Sequence, residues 1–241
     1  MNDAQIYQYL ERLTQIATGE EYLDAVREAK ARYFRATGEV FEDDAFFESR
    51  MNGFIEYYLF DWSAGPGGKS TTAVIIDKSK STLAPDELSA FAGFDRNVHS
   101  IFEFKKKKGE LVSVHNLYDD EKYEVHERRA LAGMEKGDLF EARLLPIGDK
   151  LHFSNAFVFH PASVKKFIVS ELKTTRATHA PRPTATLHRL AYLRLKFDRY
   201  RRADVTKIYS RETLAQIEAE VKRDPSGEQR LLVGNSEKGG G

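Results

Sequence analysis

Apolar residues in the first part of the chain recur at the three- and four-residue spacing of an α-helix. Leu23, Val26 and Tyr33 fall on one helical face of the segment 20–38, as expected for a helix that packs against a core. Gly38 stands at the end of this segment, and glycine is the residue that most often follows a helix end. The pattern therefore predicts a helix that ends at Gly38.

A second helix is predicted between residues 42 and 62, where aromatic residues recur at helical spacing. This aromatic stripe consists of Phe46, Phe47, Phe54, Tyr57 and Tyr58. Glu42, Asp43 and Asp44 stand at its start, and negative side chains are favourable at the positive end of a helix dipole. We therefore interpret the three acids as a solvated first turn and not as a metal or catalytic cluster.

The hydrophobic period changes to two between residues 98 and 160, as in the segment FEARL at 140–144, and this alternation is typical of strands. Turn-forming sequences separate about five strands, at 107–110, 118–122, 135–138 and 147–150. Five short antiparallel strands in about sixty residues favour a small closed barrel of SH3 or OB size, because closure removes the exposed edges of the sheet.

The last part of the chain is again helical by pattern. A short amphipathic helix begins near Ala162, and a proline-containing linker follows it at 176–186. The next helix carries an apolar stripe with basic residues around it. The stripe consists of Leu190, Leu193, Phe197 and Tyr200. One more helix follows, with Ser210 and Thr213 as candidate N-caps.

Together these patterns predict an α+β protein in consecutive regions. N-terminal helices occupy 1–97, a five-stranded antiparallel β-barrel occupies 98–160, basic helices occupy 161–233, and a disordered tail occupies 234–241. The strands are not separated by crossover helices, so a parallel sheet is not expected.

Composition places the chain among folded proteins. Apolar residues make up 41% and aromatic residues 12%, while 31% charged residues indicate a well-solvated surface. The chain has no cysteine, which excludes disulfides, a thiol nucleophile and cysteine-ligated zinc. The N-terminus lacks the pattern of a signal peptide, and no apolar run is long enough for a membrane span. We therefore expect a cytoplasmic protein with no membrane partner and no cofactor.

Charge is distributed unevenly, although the net charge is zero. Residues 1–61 contain 13 acidic and 6 basic residues, whereas residues 173–211 contain 11 basic and 2 acidic residues. Such asymmetry indicates either a polyanion partner for the basic part or contact between the two oppositely charged parts.

The segment 61–74, DWSAGPGGKSTTAV, ends like a phosphate-binding loop. In such a loop a first glycine stands five positions before the Gly-Lys-Ser step. Counting back from Gly68 gives Ser63, so the first glycine is absent. A P-loop also follows a strand of a parallel sheet. We therefore predict that this segment is a glycine-rich connection between two helices and that the chain is not an NTPase.

Other chemistries have weak signals in this sequence. His115 and His126 with Asp119 or Asp120 would be neighbours in a hairpin and are the best metal ligands available, but the close spacing of a metal motif is missing. No Gly-x-Ser-x-Gly elbow occurs, and adjacent acids in a turn are more typical of capping than of catalysis. An enzyme would need a site assembled from distant residues, so we favour a binding protein.

Five segments together carry a family resemblance. They are FEDD at 41–44, RMNGFIEYYLFDW at 50–62, GGKS at 67–70, LVSVHNLYDDEKYEVHERR at 111–129 and KGDLFEARLLPIGDKLHFS at 136–154. In this pattern the chain resembles uncharacterised bacterial proteins in which helices precede a small β-barrel and some of which continue into a SEC-C zinc motif. The resemblance covers residues 40–160 and implies no activity. This chain lacks the cysteines of the zinc motif.

Two binding functions fit these observations. The first is binding of RNA or DNA without sequence specificity, because lysines follow aromatic strand residues and arginines cluster in one helix. Its predicted site residues are Lys105, Lys106, Lys107, Lys108, Arg189, Arg194, Lys196, Arg199, Arg201 and Arg202. The alternative is a protein-interaction scaffold in which the acidic and basic parts meet, within one chain or between two copies. A pI near 7.1 is low for a dedicated nucleic-acid binder.

Overall fold

The computed structural model describes residues 3–63, 66–127, 133–200 and 202–223 of the 241-residue chain. This part of the chain contains nine α-helices and one six-stranded sheet, so the predicted α+β class is confirmed. None of the helices in these ranges combines the length and the apolar character that crossing a bilayer requires.

Five helices precede the sheet. They are α1 (Asp3–Ala17), α2 (Leu23–Thr37), α3 (Phe47–Phe60), α4 (Thr71–Ser79) and α5 (Pro85–Asp95). Helix α2 ends at Gly38 as predicted, and the φ of 86° at Gly38 lies in the left-handed region that glycine tolerates best. A Cβ atom at this position would also lie 2.7 Å from the Leu195 side chain. Glycine therefore both ends α2 and allows the later helix to approach.

Helix α3 begins five residues later than the acidic segment suggested. Residues 42–46 form turns, and the Asp44 carboxylate accepts a hydrogen bond from the Phe41 backbone N–H at 2.8 Å. The interpretation of Glu42, Asp43 and Asp44 as the first helical turn is therefore wrong. The Asp44 side chain closes a local turn by bonding the backbone three residues earlier, which competes with helix formation.

The glycine-rich segment connects two helices, as predicted. Pro66–Gly68 form a single 3-10 turn, and Ser70 caps α4 by accepting the Ala73 N–H at 3.0 Å. A helix, α3, precedes this turn in place of the strand that a P-loop requires.

One sheet follows the helices. Its strands are β1 (Val98–Lys108), β2 (Leu111–Asn116), β3 (Lys122–His126), β4 (Leu139–Ile147), β5 (Lys150–Phe153) and β6 (Val158–His160). Their order is β1-β2-β3-β5-β4-β6, and β1 also pairs with β4. Hydrogen bonds therefore connect five strands in a ring, and β6 extends the sheet from β4.

The predicted five-stranded antiparallel barrel is not confirmed. A sixth strand is present, and β3 pairs with β5 in parallel, with His126 opposite His152. In a ring with an odd number of strands, directions cannot alternate all the way round, so at least one pair must be parallel. Alternation in the sequence detects the strands but gives no information on which strands meet.

Four helices complete the described chain. They are α6 (Lys165–Ala177), α7 (Thr184–Arg199), α8 (Val205–Ile208) and α9 (Arg211–Arg223). The Ser210 hydroxyl accepts the Thr213 N–H at 3.2 Å, as expected for a cap. Arg201 and the tail at 234–241 lie outside the described residues.

Three hydrophobic clusters connect the predicted regions. Helices α1 to α5 pack with Leu145 and Ile147 of β4, while α6 to α9 pack with Ile101 of β1 and Leu139 of β4. A third cluster lies among the ring strands and includes Phe102, Val112, Val125, Phe140 and Phe153. The sheet thus has helices on two sides, which buries both faces of β4.

Candidate functional site

The four consecutive lysines lie at the end of β1. Lys105 pairs with Glu103 at 2.7 Å, and Lys165 of α6 reaches the other oxygen of the same carboxylate at 2.7 Å. The next three residues, 106–108, are exposed. The lysine segment is therefore divided: Glu103 holds Lys105, whereas the side chains of residues 106–108 lie at the surface.

The basic residues of α7 mostly face acids of the same chain. Arg189 pairs with Glu218 of α9 at 3.1 Å, and Arg194 pairs with Asp198 one turn later at 2.9 Å. Lys196 lies 3.8 Å from Glu220 of α9. Helix α7 thus presents a neutralised face where the sequence predicted a free basic one.

Arg199 makes a two-pronged contact with Asp44 of the acidic N-terminal part. Its Nε donates to Oδ1 at 2.9 Å and its Nη2 donates to Oδ2 at 2.5 Å, while Nη2 also donates to the Glu39 carbonyl at 2.7 Å. The hydrogen bond to Asp44 raises the pKa of Arg199, and the reciprocal bond lowers the pKa of Asp44. The acidic and basic ends of the chain meet here. Arg202 is exposed.

Four exposed aromatic residues contact or adjoin Arg199 and the nearby Arg194. Relative exposures are 54% for Phe41, 54% for Phe46, 36% for Phe159 and 64% for Tyr200. The Arg199 guanidinium lies 5.3 Å from the ring centre of Phe41. We call these four residues the aromatic surface.

Arg194 contacts two other residues of the aromatic surface, Phe46 and Phe159. Its guanidinium lies 5.5 Å from the Phe46 ring centre, and its Nη1 donates to the Phe159 carbonyl at 2.6 Å. The sequence placed Phe46 and Tyr200 in helical stripes, but both side chains are exposed because Phe46 precedes α3 and Tyr200 follows α7. Helix α3 begins one residue after Phe46, and α7 ends one residue before Tyr200, so neither residue belongs to the helix that the pattern assigned it to.

Phe46 has an unusual backbone conformation. Its φ of 65° places it in the left-handed region, which is costly for a bulky residue and is most often found where function or packing demands it. Asparagine and glycine tolerate this backbone conformation best, but the chain has a phenylalanine here, and its exposed ring lies over Arg194.

A second region of interest is buried between the ring strands and the N-terminal helices. Arg143 of β4 has 1% of its side chain exposed and donates from Nη2 to Asp61 at 2.6 Å and from Nη1 to Asn97. Burial favours the neutral acid, but the charge of Arg143 outweighs it and lowers the pKa of Asp61 to about 2. The pair is therefore ionised at neutral pH.

His99 connects this pair to another carboxylate. Its Nδ1 lies 3.1 Å from Arg143 Nη2, and its Nε2 lies 2.9 Å from Glu141 Oε1. Because an arginine only donates, Nδ1 accepts and the Nε2–H donates to Glu141. Burial raises the pKa of Glu56, which accepts a hydrogen bond from Ser154. The buried ion network comprises Glu56, Asp61, His99, Glu141 and Arg143.

Sequence reasoning missed the buried ion network. Alternation in β4 placed Glu141 and Arg143 on the polar face of a half-exposed strand, but both are buried because helices also cover that face. Nothing in the alternating pattern distinguishes a solvated charge from a paired one in a second core. The hydrogen bonds within the network hold these groups in fixed positions, as expected of a structural core.

The hairpin histidine considered as a metal ligand has a simpler contact. His115 Nε2 lies 2.7 Å from Asp120 Oδ1 across the turn. Across the described ranges, no group of three or more histidine, aspartate or glutamate side chains has metal-binding geometry.

The fold and this site define a mixed α+β protein with helices on two sides of a ring-connected sheet. The chain belongs to DUF7986, a family of unknown function, whose model matches residues 4–195. No curated protein and no solved structure matches the chain. The family match agrees with the uncharacterised family that the sequence resembles, and it covers the helices and sheet down to most of α7.

Proposed function

We propose that this chain is a non-enzymatic binding protein that docks a partner polypeptide on the aromatic surface. The observation that carries the proposal is the exposure of four aromatic residues, from three separate segments of the chain, beside Arg194 and Arg199. The rings of Phe41 and Phe46 lie against these arginines, Phe159 is bonded through its carbonyl, and Tyr200 directly follows Arg199. Aromatic residues and arginine are the residue types enriched at protein interfaces and among their strongest contributors. Exposed aromatic groups of this kind mark interaction sites.

The charge around the rings favours a polypeptide over a nucleic acid. Arg199 is engaged by Asp44 and Arg194 by Asp198, so a phosphate would have to displace a carboxylate at each position. Glu42 and Asp43 are exposed beside Phe41 and would repel a polyanion. A partner segment with apolar side chains flanked by lysine or arginine complements this surface.

The intra-chain ion pairs position the surface. Arg199 connects the 39–44 segment to the end of α7, and Arg194 connects Phe46 to β6 through the Phe159 carbonyl. The contact between the acidic N-terminal part and the basic C-terminal part thus supports the scaffold alternative predicted from the sequence. In this structure the contact is made within one chain.

A double substitution of Phe41→Ala and Phe46→Asn tests the proposal. Asparagine tolerates the left-handed backbone at position 46, so the variant removes both rings without adding strain. The matched control is Leu23→Ala, which truncates a side chain of 42% exposure at the other end of α2. Proteins that copurify with the wild type from native cells are identified by mass spectrometry, and their dissociation constants are then measured.

The expected result is at least about a tenfold loss of affinity for the identified partner in the double variant. Such a loss corresponds to about 1.4 kcal/mol, and interface aromatic anchors typically contribute about 2 kcal/mol or more. Leu23→Ala keeps the wild-type affinity. Equal affinity of all three proteins for every partner would exclude the aromatic surface as the docking site.

The second candidate is binding of RNA or DNA through the exposed lysines at 106–108. The observation that favours it is the run of adjacent ammonium groups projecting at the end of β1. Lys106→Ala with Lys108→Ala should then abolish oligonucleotide binding at low salt. Arg199→Ala should leave that binding unchanged, because Asp44 already holds the arginine.

The family match supplies no activity, so these proposals depend on geometry alone. Bacterial relatives and a SEC-C motif in some of them remain predictions from the resemblance, as does the division of the chain into an N-terminal region, a sheet region and a C-terminal region.

A further inference from the structure

An open cleft lies on the far side of the Asp61–Arg143 pair. It has a volume of about 530 Å³ and is lined by the end of α3, the glycine-rich turn, the start of α4 and the residues before α7. The volume falls within the range of small-molecule sites, roughly 300–1,000 Å³. The lining residues that matter for its chemistry are Asp61, Trp62, Ala73, Asp95 and Arg182. Lys69 also lines the cleft, and its ammonium group pairs with Asp77 at 2.6 Å.

Arg182 supplies positive charge to the cleft. Its Nη1 lies 3.2 Å from Asp61 Oδ1, but Asp61 is already neutralised by Arg143 at 2.6 Å. The Arg182 side chain is 38% exposed. Its Nε and Nη2 groups make no hydrogen bond with the described residues, so one edge of the guanidinium is available to an anionic group.

Asp95 supplies negative charge to the same cleft. Its Oδ1 accepts the Ser70 hydroxyl at 2.5 Å. Its Oδ2 makes no hydrogen bond or ion pair within the ranges that the structure describes, which leaves one carboxylate oxygen for a donor. The cleft therefore offers one unpartnered cationic edge and one unpartnered anionic oxygen.

We propose that this cleft binds a small zwitterion of the amino-acid or dipeptide class, with its carboxylate on Arg182 and its ammonium group on Asp95. Trp62 and Ala73 supply an apolar wall for a side chain. A phosphate ester fits less well, because its two negative charges would face both Asp61 and Asp95, while Lys69 in the lining is already paired with Asp77. A metal cation would face Arg182.

The test is calorimetric titration of the full chain with the common amino acids and with dipeptides. Each binder is compared with its N-acetyl form, which lacks the ammonium charge, and its amide form, which lacks the carboxylate. Both blocked forms are expected to bind about tenfold more weakly or worse, because each leaves a charged group of the site unpaired. Inorganic phosphate and ATP are titrated in parallel and are expected not to bind.

Two variants locate the binding. Arg182→Gln removes the guanidinium, and Ala73→Leu fills the cleft from α4 while it leaves every charged group in place. Both are expected to lose binding, and Arg27→Gln, at an exposed arginine on α2, is expected to retain it. If Arg182→Gln does not fold, Ala73→Leu decides alone.

Three results would overturn the inference. The first is that no zwitterion binds at about 1 mM, a concentration at which interactions worth roughly 4 kcal/mol are detectable. The second is unchanged zwitterion binding by Ala73→Leu. The third is tighter binding of phosphate than of any zwitterion. This inference does not depend on the aromatic surface, because Phe41 and Phe46 do not line the cleft.

Discussion

Two arginine–aspartate pairs join distant parts of this chain, and they differ mainly in burial. Arg143 and Asp61 are exposed by 1% and 5% of their side chains, whereas Arg199 and Asp44 are exposed by 34% and 13%. In each pair the aspartate comes from the acidic N-terminal part. The same chemistry thus serves a core in one place and a surface in the other.

The difference in burial sets the energetic consequence. A buried charge has lost its hydration, so removal of its partner leaves an uncompensated charge in a poorly polarisable environment. A partly exposed charge regains water when its partner is removed. The buried pair therefore contributes strongly to stability by holding β4 against the end of α3. The more exposed pair contributes less to stability and holds the 39–44 segment against the end of α7.

The largest effect is expected for Arg143→Met. This change leaves Asp61 buried without its main partner and should lower the free energy of unfolding by about 3–5 kcal/mol. Urea denaturation of the variant and the wild type measures it. Arg27→Met, at an arginine whose side chain is 75% exposed, serves as the control with little change. A loss below about 1 kcal/mol for Arg143→Met would show that the network contributes no more than a surface pair.

The second-largest effect is expected from acid, which should destabilise the buried region around Arg143 and Asp61. Two buried histidines, His188 and His160, belong to this region. Burial lowers the pKa of His188 from 6.5 to about 4 and that of His160 to about 3. The unfolded chain therefore takes up protons below pH 6.5 while the folded chain does not, so stability falls as pH decreases from 6.5 toward 4. From the size of the pKa shifts, the stability that would be lost on full protonation is about 3 kcal/mol for His188 and about 5 kcal/mol for His160.

Thermal unfolding between pH 6.5 and 4 tests this expectation. His188→Gln should lose less stability over this window than the wild type, although its stability at pH 6.5 also differs. His179→Gln, at an exposed histidine, should follow the wild-type slope. Parallel slopes for all three proteins would contradict the assignment to His188. Below pH 4 a further loss is expected as Asp61 is protonated toward its folded pKa of about 2.

A smaller effect is expected for the exposed pair. Arg199→Ala and Asp44→Ala should each lower stability by about 1 kcal/mol or less, because Arg199 is well hydrated when unpaired. A double-mutant cycle in urea isolates the coupling between them. If the coupling free energy between Arg199 and Asp44 were as large as the loss of unfolding free energy in Arg143→Met, the two pairs would not differ in their contribution to stability.

The smallest effect is expected for Lys69→Ala. Lys69 pairs at the surface with Asp77 at 2.6 Å, with both side chains more than half exposed, so the change should be within about 0.5 kcal/mol. ATP binding, measured by calorimetry, should be undetectable in both proteins, because a helix precedes the glycine-rich turn. ATP binding by the wild type that Lys69→Ala abolishes would contradict this prediction.

Sequence patterns predicted much of the fold through local physics. Helical spacing and Gly38 located α2, and a change to alternation located the strands, because both signals arise from residues a few positions apart. The start of α3 was missed because the Asp44 side chain bonds to the backbone of Phe41, a choice that propensity alone does not reveal.

The candidate sites were less predictable. The sequence indicated a charged α7 but not that Glu218, Asp198 and Asp44 would neutralise it. It also could not show that Phe46 and Tyr200 would be exposed together, since they are 154 positions apart in the chain. Contacts over such separations depend on the whole packing arrangement.

Local sequence patterns were enough to predict the α+β class, the helix at 23–37 and the strand segments. They also showed that the P-loop motif is incomplete and that the two ends of the chain have opposite charges. The folded structure was needed to show that the strands close a ring with one parallel pair, that Arg143 is buried with Asp61, and that Arg199 contacts Asp44. The physical reason is range. Periodicity, caps and composition act within one element, whereas strand partners, charge neutralisation and exposure are set by elements that meet only after the chain has folded.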